Sequence, residues 1–203
     1  MKKFTAILLL VSLVSMSFLN GKKELDKKDR ENAIAYFKET KEFLRKQIQG
    51  LSEQQLNWKP ADSVWSIANC VEHIAVTETG IFGWAMSTLA TVPDSSLDLS
   101  KKVADEAVKT MVTDRSVKGK APEMFIPSGQ FGNTAQSYNA FEKKRDSIIQ
   151  YIKTTRDDLR GHGTMSPLGV ADTYQLLLLL SGHTKRHALQ IAELRAMPAF
   201  PAK

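Results

Sequence analysis

Between Ala171 and Ala196 the chain reads ADTYQLLLLLSGHTKRHALQIAELRA, an almost unbroken run of leucines followed by two histidines four positions apart. At about 100° per residue, Leu176, Leu180, His183, His187, Ile191 and Leu194 share one helix face, while Lys185 and Arg186 point elsewhere. A helix with such a stripe has to bury it against other elements. Asp172 or Thr173 can cap its start, and Pro198 ends it.

The rest of the chain supplies partners of the same kind. Ala33, Tyr36, Phe37, Thr40, Phe43, Leu44 and Ile48 recur at three- and four-residue spacing, which predicts a first helix from about Asp26 to Gln49, with Gly50 as its stop. LSEQQLNWKP predicts a short turn-helix ending at Pro60. A second long helix begins near Ser63 or Ser66 and runs towards Leu89. A third, from about Thr134 to Leu159, carries Ala140, Phe141, Ile148, Tyr151 and Ile152 on one side, and RGHGTMSPLG breaks it. From Pro93 to Asn133 prolines and glycines punctuate the chain, with room for one helix in SKKVADEAVKTMVTD. A connection this long is usually functional or mobile. No segment alternates with period two between turn signals, so no strand is expected. The fold class is all-α: an up-down-type four-helix bundle with a long crossover between helices two and three, forming a single domain over residues 21–203.

Residues 1–20 are read apart from that domain. Lys2 and Lys3 precede an apolar run from Phe4 to about Val14, then Ser15 and Ser17, which is the layout of a secretory signal peptide. The run is shorter than the roughly 20 residues of a membrane span; a retained N-terminal anchor is the alternative. The mature protein is therefore expected to be periplasmic or secreted, with no membrane association after cleavage. Without Lys2 and Lys3 the formal net charge falls from +6 to +4, and the remaining bases alternate with acids, as in KKELDKKDRE. No basic patch of the kind that binds nucleic acid is visible. Cys70 is the only cysteine, so no intramolecular disulfide can form, and stability has to come from packing or from a metal.

The histidines are the chemistry-bearing residues. His183 and His187, one turn apart, can reach a common ion, as zinc-binding HxxxH pairs do. His73, in WSIANCVEHIAVTE, lies on the second helix with Cys70 and Thr77 one turn to either side. It is the candidate third ligand, since facing helices of a bundle build metal sites between them. Read from spacing alone, the three rings are either ligands or hydrogen-bonded core residues. Cys70 is either an additional ligand or a small buried hydrophobe, and His162 either lies at the mouth of the site or is an ordinary loop residue. Gln190 can orient a ligand histidine. Arg145 and Arg186 read as partners for helix-surface carboxylates or for an anionic substrate. The segment KGKAPEMFIPSGQFGNT either covers the pocket or is a plain connection. Glu72 points about 100° away from His73, Glu78 faces the bundle edge and Asp172 serves as a cap, so no catalytic residue is assigned.

LSEQQLNWKPADSVWSIANCVEHIAVTE, FEKKRDSIIQYI and PLGVADTYQLLLLLSGHTKRHALQIAEL together resemble the DinB-like superfamily of metal-binding four-helix bundles, over nearly all of the mature chain. The specific parts are the Trp-Ser-Ile start of the second helix, the histidine seven residues after that serine, and HTKRHALQI in the last helix. The resemblance implies that His73, His183 and His187 form a three-histidine site for one divalent ion, zinc or nickel, with a position open to water or substrate. It implies a metal-dependent hydrolase acting on an unknown small molecule. The alternatives are a thiol-dependent S-transferase and a non-enzymatic metal-binding bundle, with a homodimer open in either case. An oxidising export compartment argues against a low-molecular-weight thiol as co-substrate.

Overall fold

The computed structural model describes residues 23–202; the leader read at residues 1–20 lies outside the described residues. Helix α1, Lys27–Ile48, starts where the Asp26 side chain accepts the Asp29 N–H. Gly50, at φ 75°, turns the chain out beyond its end. Ser52 and Gln55 cap the short α2, Glu53–Asn57, reciprocally. Ser66 and Asn69 do the same for α3, Ile67–Ala90, so Ser66 rather than Ser63 is the start. The crossover over 91–133 holds α4, Asp105–Thr113, between 3-10 turns at Leu99–Lys101 and Glu123–Phe125. Asn133 and Gln136 cap α5, Thr134–Thr154. Helix α6, Thr173–Arg195, opens with Asp172 accepting the Gln175 N–H at 2.8 Å. Among the described residues no helix is long and apolar enough to cross a membrane.

Two expectations need correction. Helix α5 stops at Thr154 instead of Leu159. Thr155 Oγ1 donates to Asp157 Oδ2 and accepts the Asp157 N–H, and such local bonds compete with helix continuation. The segment that follows is a hairpin: β1, Gly163–Ser166, pairs antiparallel with β2, Gly169–Asp172, Gly163 lying opposite Asp172. Ser166 Oγ closes its turn, donating to the Gly169 carbonyl and accepting the Leu168 N–H, and Gly169 takes φ 92° there. Strands of four residues are too short for alternation to register in the sequence.

Helices α1 and α3 each pack on both α5 and α6, so α1 lies diagonally across the bundle from α3, and α5 from α6. Phe37, Ile81, Ile148 and Leu177 belong to one apolar cluster, and Leu44, Ile74, Phe141 and Ile191 to the other. Helices α1 and α6 therefore run from the first cluster to the second, and α3 and α5 run back. The order is up, down, down, up. Because α3 and α5 are parallel neighbours, the chain must travel the length of the bundle between them, which is why the crossover is long. On the way, α4 buries Val108 and Val112 and packs on α6.

A polar layer lies between the clusters. Arg145 of α5 and Glu78 of α3 are both wholly buried. Arg145 Nε and Nη2 donate to the two Glu78 oxygens at 2.6 and 2.7 Å. Nη1 donates to Thr40 Oγ1 of α1 at 2.7 Å, and Nη2 to Thr184 Oγ1 of α6 at 2.6 Å. Phe37 and Phe141 lie against the guanidinium, their ring centroids at 4.6 and 5.0 Å. All four bundle helices thus meet on one side chain. The readings of Glu78 at the bundle edge and of Arg145 as a partner for helix-surface carboxylates or an anionic substrate are both overturned, because the two charges pair with each other in the interior. Removing one member strands the other: Arg145→Met is expected to cost about 3–5 kcal/mol of unfolding free energy. Adding Glu78→Leu should restore part of it, as read by denaturant titration. A loss of less than about 1 kcal/mol in the single variant would place this layer among ordinary exposed pairs.

Candidate metal centre

His73 lies on α3 five residues before Glu78, and His183 immediately precedes Thr184 on α6. The register that satisfies Arg145 therefore also sets these rings against one another. His183 Nε2 is 3.4 Å from His73 Nε2 and 3.2 Å from His187 Nε2. One nitrogen from each of the three rings lies within 4.8 Å of those of the other two.

Each Nδ1 turns outward to a partner of its own. His73 Nδ1 meets the Phe125 main-chain carbonyl at 2.7 Å, His187 Nδ1 meets Gln190 Oε1 at 2.9 Å, and His183 Nδ1 meets Thr77 Oγ1 at 3.3 Å. A carbonyl only accepts, so His73 carries its proton on Nδ1. The Thr77 hydroxyl gives its one proton to the His73 main-chain oxygen at 2.7 Å, which leaves it an acceptor for His183. Gln190 Oε1 also accepts from Arg115 Nη1 at 3.4 Å; an arginine can only donate, so it is the amide oxygen that faces both. With protons on all three Nδ1 atoms, three Nε2 lone pairs converge and no proton is left between them. Such an arrangement repels itself and is relieved by a cation. Nitrogens about 2.0–2.1 Å from a tetrahedral zinc ion stand about 3.3–3.4 Å apart, close to the two shorter spacings found here.

The electrostatics fit the same donor set. Burial lowers the pKa of all three rings. His187 is brought down to about 3 by burial first and then by the neighbouring His73. His183 lies well below the ordinary value, through burial, His187 and His73. For His73 the bond to Phe125 partly offsets burial. The rings are neutral, the form a metal requires. Trp65 lies against two of them, its ring centroid 4.8 Å from His73 and 6.2 Å from His187. His73 and His187 are buried and His183 is half-buried as a whole residue.

The other singled-out residues fall elsewhere. Cys70 is buried in the cluster of Leu44, Ile67 and Phe141, and burial pushes its thiol up to about 12; it is a small core hydrophobe. His162 Nδ1 pairs with the Thr91 carbonyl at 3.1 Å, away from the cluster. Arg186 donates to the main-chain carbonyls of Val112, Asp114 and Val117, so it ties the crossover to α6. Asp172 caps α6 and also meets Arg160 and Lys102. Glu72 Oε1 accepts three crossover N–H groups. Among the described residues no Asp, Glu or Cys joins the three histidines. The crossover does reach the site, since the Phe125 carbonyl meets the outward nitrogen of His73. That carbonyl could not be found from sequence, because every residue has one. Thr77, by contrast, carried a signal as a hydroxyl one turn after His73.

Residues 27–191 match the sequence profile of the DinB superfamily. The chain is 23% identical over 166 residues to the uncharacterized protein YuaE of Bacillus subtilis (strain 168), covering 80% of this chain and 96% of that one. Its fold is similar to that of YfiT from Bacillus subtilis, with a TM-score of 0.55 at 15% identity, over 86% of this chain and 90% of that one. YfiT is described as a probable metal-dependent hydrolase with an unusual four-helix bundle topology.

The depressed pKa values carry a pH dependence for the metal-free chain. A ring held neutral in the fold takes its proton only on unfolding, so the unfolded state binds more protons once the pH drops below the ordinary value of 6.5. The contribution is full above that value and is lost as the pH falls towards the folded value, about 3 for His187. Between these limits one ring gives a slope of up to about 1.4 kcal/mol per pH unit. Metal-free wild type should therefore lose stability more steeply than His187→Gln between about pH 6 and 4 in denaturant titrations. Equal slopes would contradict a neutral, buried His187.

Proposed function

The chain belongs to the DinB superfamily, and on that premise we propose that it is an exported metal-dependent hydrolase acting on a small molecule. In this reading His73, His183 and His187 hold one divalent ion, zinc or nickel, with a position left open to water or substrate. The observation that carries the reading is the convergence of three Nε2 atoms whose rings each place their Nδ1 proton on a separate acceptor. The description of YfiT as a probable metal-dependent hydrolase supports the reaction class. The signal-peptide layout of residues 1–20 supports export.

An ion on three neutral imidazoles supplies Lewis acidity, enough to bring the pKa of a water to about 7. The chain's own residues supply the rest. Phe125, Thr77 and Gln190 fix the ring orientations, and Trp65 keeps solvent from one side of His73 and His187. The imidazoles bring no negative charge, so the site favours substrates with an anionic or strongly polarised oxygen. Proton transfer falls to solvent or to the substrate, since Glu72, Glu78 and Asp172 are each committed to other bonds.

The test is elemental analysis of the full chain purified without a histidine tag, alongside His183→Ala. The wild type is expected to carry about one divalent ion per chain, and the variant to lose most of it while remaining helical by circular dichroism. The wild type should also hydrolyse members of an ester, lactone and amide panel, lose that activity to a chelator and regain it on adding back zinc or nickel. A metal-free wild type would overturn the reading. Bound metal without any hydrolysis would leave the non-enzymatic metal-binding bundle in its place.

A further inference from the structure

The crossover is fastened to α3 at three points around His73. The Phe125 carbonyl accepts the His73 Nδ1–H at 2.7 Å. The Phe125 ring lies over Gly80: a Cβ added there would come 2.4 Å from Cε1 and 2.7 Å from Cζ. Farther along, Glu72 Oε1 accepts the N–H groups of Ser128, Gly129 and Gln130 at 3.1, 2.7 and 3.0 Å. Resting on the reading of His73 as a metal ligand, we propose that Gly80 and Glu72 are positioning residues of the metal centre, which hold the Phe125 carbonyl on His73 and so couple metal binding to docking of the crossover.

His73 sets the first requirement. Its Nε2 faces the cluster only while Nδ1–H has an acceptor, and a buried N–H left without one costs too much to persist. Withdrawing the carbonyl would turn the ring or move the proton to Nε2, and either change removes a lone pair from the cluster. A main-chain carbonyl cannot be anchored by its own side-chain chemistry, so its position depends on the chain to either side. The Phe125 ring fixes the segment at one point, and its fit requires the missing Cβ of Gly80. A glycine inside a helix lowers helix stability, and here the close approach supplies its reason. Gly83, three residues on, has nothing within 4 Å of an added Cβ. Glu72 fixes the segment at the second point, with three charge-assisted bonds on one oxygen. It is this use of Glu72, pointing away from His73, that leaves it unavailable to the cluster itself. If the docked crossover binds metal more tightly than the undocked one, metal must favour docking by the same factor.

Co2+ titration of the full, untagged chain tests this, with its visible absorption spectrum as the readout of ligand geometry. Gly80→Ala is expected to weaken Co2+ binding about 10–100-fold, the range for loss of a partner behind a ligand, and to alter the spectrum. Gly83→Ala should change neither. Phe125→Ala should weaken binding similarly, and adding Gly80→Ala to it should cost nothing further, because the ring that the new methyl would strike is gone. Glu72→Gln should weaken binding as well, and carries the test together with Phe125→Ala if Gly80→Ala does not fold. Co2+ should also slow tryptic cleavage after Lys118 and Lys120 in the wild type, and do so less in Gly80→Ala. Wild-type affinity and spectrum in Gly80→Ala and Glu72→Gln, with the wild type binding Co2+ normally, would overturn this coupling and leave the metal site standing. A wild type that binds no Co2+ would overturn both.

Discussion

The buried guanidinium of Arg145 is the constraint on which the arrangement of this bundle depends. A charge wholly removed from water needs every donor satisfied, and here the satisfaction comes from α1, α3 and α6 at once. Burial pushes the Glu78 carboxyl up, and the guanidinium pulls it back. With its bidentate geometry the pair stands as an ion pair inside the core. Apolar packing tolerates sliding of one helix along another far better than such a layer does, because a shift of one turn would leave the charge unpaired. The layer is read here as a device for register, the best-supported use of buried polar groups. Its consequence is local: Thr77 and His183 are the sequence neighbours of Glu78 and Thr184, so the histidine cluster inherits its alignment from the core.

Topology supplies the second half of the site. Parallel α3 and α5 leave the chain to return along the bundle, and that return is put to use. Helix α4 packs on α6, Arg186 gathers three of the crossover's carbonyls, and Phe125 reaches His73. The cluster thus lies between two helices of the bundle and a segment that the helix order itself makes necessary. A bundle running strictly up and down with short loops would present the same three histidines and leave His73 without this acceptor.

Much of this was legible in the sequence, and the exceptions have physical reasons. The apolar stripes located the long helices because burial repeats every three to four residues. Ser66 and Asp172 marked starts because their side chains cap N–H groups. His183 and His187 showed themselves by spacing on one face, and His73 as a histidine on a second long helix with Cys70 and Thr77 one turn to either side; the family resemblance joined the three into one site. The Trp-Ser-Ile start of α3 now has a reason for each residue: Trp65 against the rings, Ser66 as cap, Ile67 in the core. Glu78 and Arg145 were misplaced because a charged residue within an apolar stripe looks the same in sequence whether its partner is water or another helix. In retrospect Arg145 sits between Phe141 and Ile148, and Glu78 between Ile74 and Ile81, all four of them buried. The hairpin and the Phe125 carbonyl left no compositional trace.

The central claim is that three imidazoles, each protonated on Nδ1, converge through Nε2 on one ion with a position to spare. X-ray absorption at the zinc K-edge of zinc-loaded full-length protein addresses it most directly. The account predicts three imidazole nitrogens with at least one further oxygen scatterer and no sulfur. A sulfur shell at about 2.3 Å, which would bring Cys70 to the ion, or a shell with fewer than three imidazoles, would contradict it.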